Sequence, residues 1–173
     1  MIISVEEAKK YIKTSEEDSV LEAKLQALEL LIRKYTNNNF QKRAFRSLGT
    51  IEGGKLYCDT YFFKDGETVE ISESRFNEGL LVVKGMEEGR IPCEGYFDEE
   101  NILVTKVEYP VDVKMGVVNM LRWELENRAK VGIQSETISR HAVTYFNMDG
   151  DNSVMGYPKS LLGFLRPYMK ARF

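Results

Sequence analysis

A stretch of short β-prone runs, from about residue 45 to residue 109, lies between two segments that have helical periodicity. Runs such as KLYCDTYFF, TVEIS, LLVVKG and NILVTKVEY are separated by turn-forming residues, among them Gly53-Gly54, Asp65-Gly66 and Gly85. Frequent turns between short β-prone segments are typical of antiparallel hairpins and not of βαβ units. The stretch therefore predicts a β-rich region of antiparallel hairpins, with Pro92 in an edge strand or a loop.

The segment before this stretch has the pattern of an amphipathic helix. Thr14 or Ser15 is placed to cap its start, and Asn37-Asn38-Asn39 is placed to end it. Its apolar residues recur at helical spacing and share one face: they are Leu21, Leu25, Leu28, Ile32 and Tyr35. A shorter helix, over roughly residues 5–13, is predicted upstream, with Ser4 as its cap.

A second helix is predicted to begin at Pro110 and to run to about Lys130, because proline is well tolerated in a first helical turn. Its apolar residues cover more than one face, so we expect it to be the most buried helix: they are Val113, Val117, Val118, Met120, Leu121 and Leu125. Gly116 costs this helix about 1 kcal/mol relative to Ala. A close helix crossing, which leaves no room for a larger side chain, would explain why glycine occupies this position. The following segment, IQSETISRHAVTYFNM, predicts a strand.

The C-terminal segment GYPKSLLGFLRPYMKARF combines an apolar face with only positive charge. Pro158 predicts the start of a final helix, and Pro167 predicts an end or a kink near Leu165 or Arg166. The apolar face comprises Leu161, Leu162, Leu165, Tyr168 and Met169, and the charges are Lys159, Arg166, Lys170 and Arg172. One interpretation is a helix that closes the protein's own core; the other is an arm whose aromatic and arginine anchors bind a partner. The same residues can serve both.

The predicted elements form an α+β protein with a single domain over residues 1–173. We expect a small helical bundle, made of two long helices with short N- and C-terminal helices, that carries an inserted antiparallel β-hairpin region at about 45–109. A chain of 173 residues with 43% hydrophobic content is long enough to bury a substantial core.

Charge and hydropathy narrow the classes of partner. The net charge of -3 argues against a dedicated nucleic-acid-binding protein, which needs a basic surface to neutralise phosphates. No apolar run approaches the roughly 20 residues that span a bilayer, so no membrane partner is expected. The start of the chain, MIISVEEAKK, lacks the pattern of a secretory signal, which predicts a protein made in the cytoplasm.

Candidates for chemistry are weak, and we expect neither an enzyme, nor a cofactor, nor a metal site. His141 is the only histidine, which excludes multi-histidine metal centres. The segment DGDNSV resembles the opening of a calcium loop, but its glycine and its distal glutamate are misplaced. The pairs Glu87-Glu88 and Glu99-Glu100 are flanked by turn residues and predict solvated charge. Cys58 and Cys93 predict free thiols, because they have neither CxxC spacing nor neighbouring histidines.

One basic cluster stands out in this acidic chain. Lys42, Arg43 and Arg46 are interleaved with Phe40 and Phe45, a composition that suits contact with nucleic acid. The alternative interpretation, a solvated loop after the end of a helix, is favoured. The three cations are therefore retained only as candidates for a position close to DNA.

The order of the features resembles the tailed-bacteriophage head–tail connector proteins, also called head completion or adaptor proteins. The opening ISVEEAKKYIKTSEEDSVLEAKLQALELLIRKYTNNNF is similar to the family's short helix, acidic cap and long helix. The middle VEYPVDVKMGVVNMLRWELENR matches its Tyr-Pro-led central helix. The end is the most specific part, since Ser135-Glu136 and Val143-Thr144-Tyr145 precede a loop and a C-terminal helix led by Tyr157-Pro158. The resemblance is one of pattern and is weakest over 45–109, which would then be an insertion on a helical scaffold.

The resemblance implies a non-enzymatic virion protein at the neck of the particle, made in the host cytoplasm. Copies would form a ring, usually of twelve, that extends the DNA channel below the portal protein and receives a stopper or tail-completion protein. The C-terminal segment would bind the portal or a neighbouring copy. The residues expected at this interface are Tyr157, Pro158, Leu161, Leu162, Leu165, Arg166, Tyr168 and Met169.

Two other functions stay open at this point. The first is a small nucleic-acid-binding or DNA-packaging accessory module that uses Lys42, Arg43 and Arg46. The second, and the less supported, is a small enzyme that acts through His141.

Overall fold

The largest element of the computed structural model, which describes residues 1–128, 135–138, 141–144 and 151–171, is a six-stranded antiparallel sheet. The sheet curls into a half-barrel, and its strand order is β4-β3-β6-β1-β2-β5. The strands are β1 (Gln41–Glu52), β2 (Lys55–Tyr57), β3 (Thr68–Ser72), β4 (Gly79–Val82), β5 (Arg90–Pro92) and β6 (Glu99–Val107).

The remaining elements flank this sheet in the sequence. The helices are α1 (Val5–Lys9), α2 (Asp18–Thr36), α3 (Val111–Asn127) and a C-terminal 3₁₀ helix (Lys159–Tyr168). Two further hairpins are formed by β7 (Ser135–Ile138) with β8 (His141–Thr144), and by β9 (Ser153–Val154) with β10 (Tyr157–Pro158).

The predicted fold, a helical bundle of two long helices with an inserted hairpin region, is wrong. The curled sheet is the main body of the molecule, and its helices are short. The prediction failed because the central pairing joins β1 to β6, from Gln41 opposite Val107 to Ile51 opposite Glu99. Partners this distant in sequence leave no local pattern, whereas hairpin turns and helical periods do. Pro92 does lie in an edge strand, β5, as predicted.

The sheet and the helices enclose separate hydrophobic cores. The core of the sheet lies on one face of the strands and consists of Ile51, Leu56, Phe63, Val69, Ile71, Val83, Ile91, Cys93, Ile102 and Val104. The helical core collects side chains from both ends of the chain, including Ile2, Leu21, Leu25, Ile32, Val117, Met120, Leu121, Leu162 and Leu165. Val107 and Tyr109, at and just beyond the end of β6, belong to the helical core, so this strand contributes to both.

A polar junction, defined by Met1, Glu29, Arg33, Glu70 and Tyr109, joins the two cores. Arg33 of α2 donates to Glu70 Oε1 of β3 at 2.6 Å, and both side chains are almost fully buried. Glu29 accepts a 2.7 Å hydrogen bond from the Tyr109 hydroxyl, and its Oε2 lies 3.3 Å from the amino group of Met1. Burial and the adjacent Glu29 carboxylate raise the pKa of Tyr109. The junction therefore fixes α2 on the sheet through bonds that exclude water.

The ends of the first two helices differ in part from the prediction. Ser4 accepts a hydrogen bond from the backbone N–H of Glu7 and caps α1, as predicted, but α1 ends at Lys9 and not near residue 13. Helix α2 begins at Asp18 after Glu17, so neither Thr14 nor Ser15 caps it. Its end is as predicted, since Asn37 adopts the left-handed conformation that closes a helix.

Helix α3 is buried along its first turns, and Gly116 marks its closest contact. A Cβ atom at Gly116 would lie 2.3 Å from the ring of Phe164, so glycine admits the C-terminal helix here. The close crossing predicted from this glycine is confirmed. Of the end or kink predicted near Leu165 or Arg166, the end is wrong, since the 3₁₀ helix includes Pro167 and ends at Tyr168. Packing of Leu162 and Leu165 into the core compensates the backbone hydrogen bond that proline cannot form.

Candidate functional site

The C-terminal 3₁₀ helix has one face in the helical core and one face in solvent. Leu162 and Leu165 are fully enclosed, and Phe164 packs partly against the same core. On the opposite face Lys159 and Arg166 are exposed, and Met169, just after the helix, has 51% of its surface in solvent. The two interpretations of this segment thus correspond to its two faces.

The last residues of the C-terminal segment are hydrogen-bonded to the end of α2. The N–H of Lys170 donates to the carbonyl of Thr36 at 2.8 Å, and the amides of Asn37 and Asn38 donate to the carbonyls of Ala171 and Tyr168. The Tyr168 hydroxyl also donates to Asp112 at the start of α3 at 2.8 Å. The bonds with Thr36, Asn37 and Asn38 use a carbonyl and side-chain groups at the end of α2. They hold the segment against its own chain.

A second attachment lies at Tyr157, directly before the 3₁₀ helix. Its hydroxyl donates to Glu124 Oε2 at 2.5 Å, and Arg128 binds both carboxylate oxygens of Glu124. The Arg128 guanidinium lies over the rings of Trp123 and Tyr157, 5.3 and 4.9 Å from their centroids, which adds cation–π attraction. This cluster connects the C-terminal segment to the last turns of α3.

The charges of this cluster are mutually stabilised. Burial alone would raise the pKa of Glu124, but the hydrogen bonds from Arg128 and Tyr157 outweigh it and hold that pKa below its usual range. Burial and the adjacent carboxylate raise the pKa of the Tyr157 hydroxyl, so it stays protonated and continues to donate. At neutral pH the cluster therefore holds an ionised Glu124 between the protonated Tyr157 hydroxyl and Arg128.

The eight residues predicted at an assembly interface divide by exposure. Tyr157, Leu162 and Leu165 are buried in the helical core, Pro158 is buried beside them in the sequence, and Leu161 and Tyr168 are half-buried. Arg166 and Met169 are exposed. A cleft of about 310 Å³, lined by Tyr35, Val154, Lys159, Leu162, Gly163 and Arg166, opens beside them. Only this exposed side is free to receive a partner without unfolding of the segment.

The basic cluster lies in β1 and not in a loop, which corrects the favoured interpretation of these residues. Lys42 forms an ion pair with Glu108 and lies over the ring of Phe45. Arg46 donates to Thr105 and Gln41, and Arg43 is exposed. Strand β1 was not recognised because polar and apolar residues do not alternate clearly along Gln41–Glu52. In addition, its pairing with β6 contains bulges.

An exposed aromatic group at the far end of the sheet was not predicted from the sequence. Phe76 and Phe97 have 60% and 65% of their surfaces in solvent, their ring centroids are 5.7 Å apart, and Arg75 lies over Phe76. We call Arg75, Phe76 and Phe97 the aromatic tip. The available signal was a phenylalanine inside each of two acidic turn segments, SESRFNE and CEGYFDE.

The candidates for chemistry occupy separate places. His141 lies in β8, where the surroundings of its imidazole are outside the described residues, as are Asp149 and Gly150 of the segment DGDNSV. Cys58 and Cys93 are free thiols, and burial raises the pKa of Cys58 to about 11, so it is a poor nucleophile. Within the described ranges, no cluster of His, Cys, Asp or Glu is arranged to hold a metal ion.

The helices in the described part of the chain are all too short or too polar to cross a membrane. Comparison with known proteins adds no relative, since neither a protein-family model nor a curated protein matches this chain.

Proposed function

We propose that this chain is a structural virion protein, a head–tail connector subunit that forms a ring beneath the portal, joins head to tail and extends the DNA channel. Its partners are the portal protein, neighbouring copies in a ring of twelve, and a stopper or tail-completion protein. The proposal starts from the resemblance of the N-terminal, central and C-terminal segments to connector proteins. The β-rich segment lies outside that resemblance.

The outward face of the C-terminal segment is the observation that carries the proposal. Residues 158–171 contain Lys159, Arg166 and Lys170 and no acidic residue, in a protein with a net charge of -3. These cations are exposed beside Met169 and the 310 Å³ cleft. Arginine and methionine are enriched in protein interfaces relative to the rest of the surface. Such a face suits an acidic, partly apolar surface on the portal.

The net charge agrees with a protein that surrounds DNA without holding it. Like charge on a channel wall and on the phosphates disfavours adhesion, so DNA can pass. Of the three residues proposed to approach DNA, Lys42 is neutralised by Glu108. This leaves Arg43 and Arg46, which is too few to support the alternative of a nucleic-acid-binding module.

Binding to purified portal protein of the same phage tests the proposal. Deletion of residues 158–173 is a poor test, because it would also remove Leu162 and Leu165 from the core. The sharper variant is Lys159→Glu combined with Arg166→Glu, which reverses two exposed charges and leaves the buried face intact. We expect the affinity for portal to fall at least tenfold.

The matched control is Lys10→Glu combined with Lys13→Glu, which makes the same charge change at exposed positions near α1. Circular dichroism confirms that both variants are folded. Equal portal affinity for the two double variants, or no binding of the unmodified protein to portal, would overturn the proposed function.

A further inference from the structure

The aromatic tip is held rigidly although it faces solvent. Glu99 of β6 accepts hydrogen bonds from the Ser74 hydroxyl at 2.5 Å and from the Arg75 N–H at 2.6 Å. Asn77, only 5% exposed, binds both the N–H and the carbonyl of Phe97. Its amide also donates to Glu99. The two turns that carry the phenylalanines are therefore tied to each other and to the sheet.

An exposed and preorganised aromatic pair beside an arginine is the signature of a binding surface. Aromatic residues and arginine dominate the binding energy of protein interfaces. A rigid presentation reduces the entropy lost on binding. Phe76 and Phe97 do not stabilise a hydrophobic core, since they belong to neither hydrophobic cluster.

The charge around the aromatic tip limits its partner. Segments 73–78 and 94–100 contain six acidic residues and one basic residue, Arg75. The acids are Glu73, Glu78, Glu94, Asp98, Glu99 and Glu100. This rim repels nucleic acid and anionic lipid, both of which carry phosphates. The partner must instead present apolar surface together with positive charge.

The same chain carries such a surface at the other end of the sheet. The rings of Phe45 and Phe62 are stacked 4.8 Å apart, and Phe62 is 39% exposed. Exposed cations lie beside them in sequence, Arg43 in β1 and Lys64 after Phe62, and neither has an ion-pair partner within the part of the chain that the structure describes. We call Arg43, Phe45, Phe62 and Lys64 the basic patch.

Some of the charges near the basic patch are already paired. Lys42 forms an ion pair with Glu108, and Lys106 forms one with Glu67 at 2.7 Å. Asp59 and Asp65 accept only backbone N–H groups and keep their negative charge. Three exposed cations, Arg43, Arg46 and Lys64, have no ion-pair partner among the described residues, so the excess charge on this surface is positive, opposite in sign to the rim of the aromatic tip.

The tip and the patch of one copy lie too far apart to touch. Glu99, which anchors the tip, and Lys106, which contacts the carbonyl of Phe62 in the patch, are seven residues apart in β6. At about 3.3 Å per residue this is about 23 Å. A contact between the two surfaces must therefore join two molecules.

We propose that the aromatic tip of one copy binds the basic patch of a second copy. This head-to-tail contact is heterologous, because it uses two different surfaces, and repetition of such a contact builds a ring or a filament. In the connector ring this would be the contact between neighbouring subunits, and in that respect the inference rests on the proposed function. The binding of two copies to each other can be measured without portal.

Reciprocal charge reversal tests the contact. The tip variant carries Glu78→Lys and Glu94→Lys, and the patch variant carries Arg43→Glu and Lys64→Glu; all four residues are exposed. Sedimentation equilibrium over a series of protein concentrations measures the Kd of self-association, and each tenfold change in Kd corresponds to about 1.4 kcal/mol. We expect each variant alone to weaken self-association at least tenfold. Because both new contacts are attractive, an equimolar mixture of the two variants should associate again.

The control is Glu16→Lys with Glu126→Lys, which makes the charge change of the tip variant at exposed positions elsewhere and should leave self-association unchanged. An unmodified protein that is monomeric throughout, or a mixture that stays as weak as its components, would overturn the inference. Portal binding is scored in the separate assay above. Loss of the tip contact with retained portal binding therefore rejects this inference and leaves the proposed function standing.

Discussion

The curled sheet and the helical body solve the problem of core formation in different ways. The sheet is built from one continuous part of the chain, residues 41–107, and its ten core residues all come from this segment. The helical body is assembled from both ends of the sequence, with α1 and α2 before the sheet and α3 and the C-terminal helix after it. The sheet is therefore complete within its own segment, whereas the helical core requires the C-terminal segment to close it.

The difference extends to the surfaces. The helical body uses the apolar face of its C-terminal segment internally and exposes the cationic face. The sheet leaves two aromatic side chains in solvent at its far end. In the helical body, the surface available to partners is the exposed face of a segment whose other face is buried. In the sheet, it consists of side chains carried by rigid turns.

The largest expected effects come from matched truncations in the two cores. Leu25 and Ile102 are both fully buried, the first in the helical core and the second in the sheet. Leu25→Ala and Ile102→Ala should each lower the free energy of unfolding by about 2–5 kcal/mol. Trp123 is the only tryptophan and packs on the helical core, so its fluorescence reports unfolding of that region alone.

We expect Ile102→Ala to shift the urea midpoint of Trp123 fluorescence as well as that of far-UV circular dichroism. The physical reason is that β6 enters both cores and the polar junction joins them. A Trp123 transition that does not move in Ile102→Ala would break this coupling and make the sheet and the helical body separate folding units.

The polar junction between the sheet and the helical body should give the next largest effect on stability. Glu70→Gln leaves the buried Arg33 guanidinium without its counter-charge, and we expect a loss of about 2–3 kcal/mol. The control is Glu22→Gln, which removes the exposed pair with Lys84 and should cost less than about 1 kcal/mol. Equal losses for the two variants in urea denaturation would contradict a structural role for the junction.

The two regions also differ in what the sequence could predict. The helical elements leave local signals: Ser4 as a cap, Asn37 at a helix end and Gly116 at a crossing are all read from spacing and conformational preference. The central strand pairing of the sheet joins residues about 50 to 65 positions apart. The entropy that the chain loses when it closes such a long loop is offset only by contacts made in the folded protein. Local pattern therefore gave strand-prone runs and turns but assigned the main body of the protein to the wrong element type.

The candidate surfaces follow the same rule. The C-terminal segment was found because its composition is unusual along the sequence, although the buried side of Leu162 and Leu165 could not be known. The aromatic tip was missed, because Phe76 and Phe97 are separated by 21 positions and are brought together only in the folded sheet, where Asn77 and Glu99 link their turns. A pair of this kind has no signature in either turn alone.

Gly116 provides a test in which the sign of the effect changes. Gly116→Ala alone should lower the stability by about 1 kcal/mol or more, since its Cβ would overlap the ring of Phe164. In a Phe164→Ala background the space is open, and the same substitution should raise the stability by about 0.5–1 kcal/mol through helix propensity. Thermal unfolding of the four proteins gives both values. A loss in both backgrounds would show that the close approach of Phe164 is not the reason for the glycine.

The smallest effect concerns the attachment of the C-terminal segment and depends on pH. Tyr157→Phe removes the hydroxyl that donates to Glu124, which should cost about 1 kcal/mol at pH 7. The pKa of Glu124 is lowered in the folded protein, so the stabilisation is present above the usual glutamate pKa of about 4.3 and is lost as the pH falls through the folded value. The stabilities of the two proteins should therefore converge as the pH falls through the lowered pKa of Glu124. A difference that stays constant from pH 7 to pH 3 would assign the effect of Tyr157 to packing against Trp123 and Arg128. The attachment of the C-terminal segment to the helical body would then not depend on the charge of Glu124.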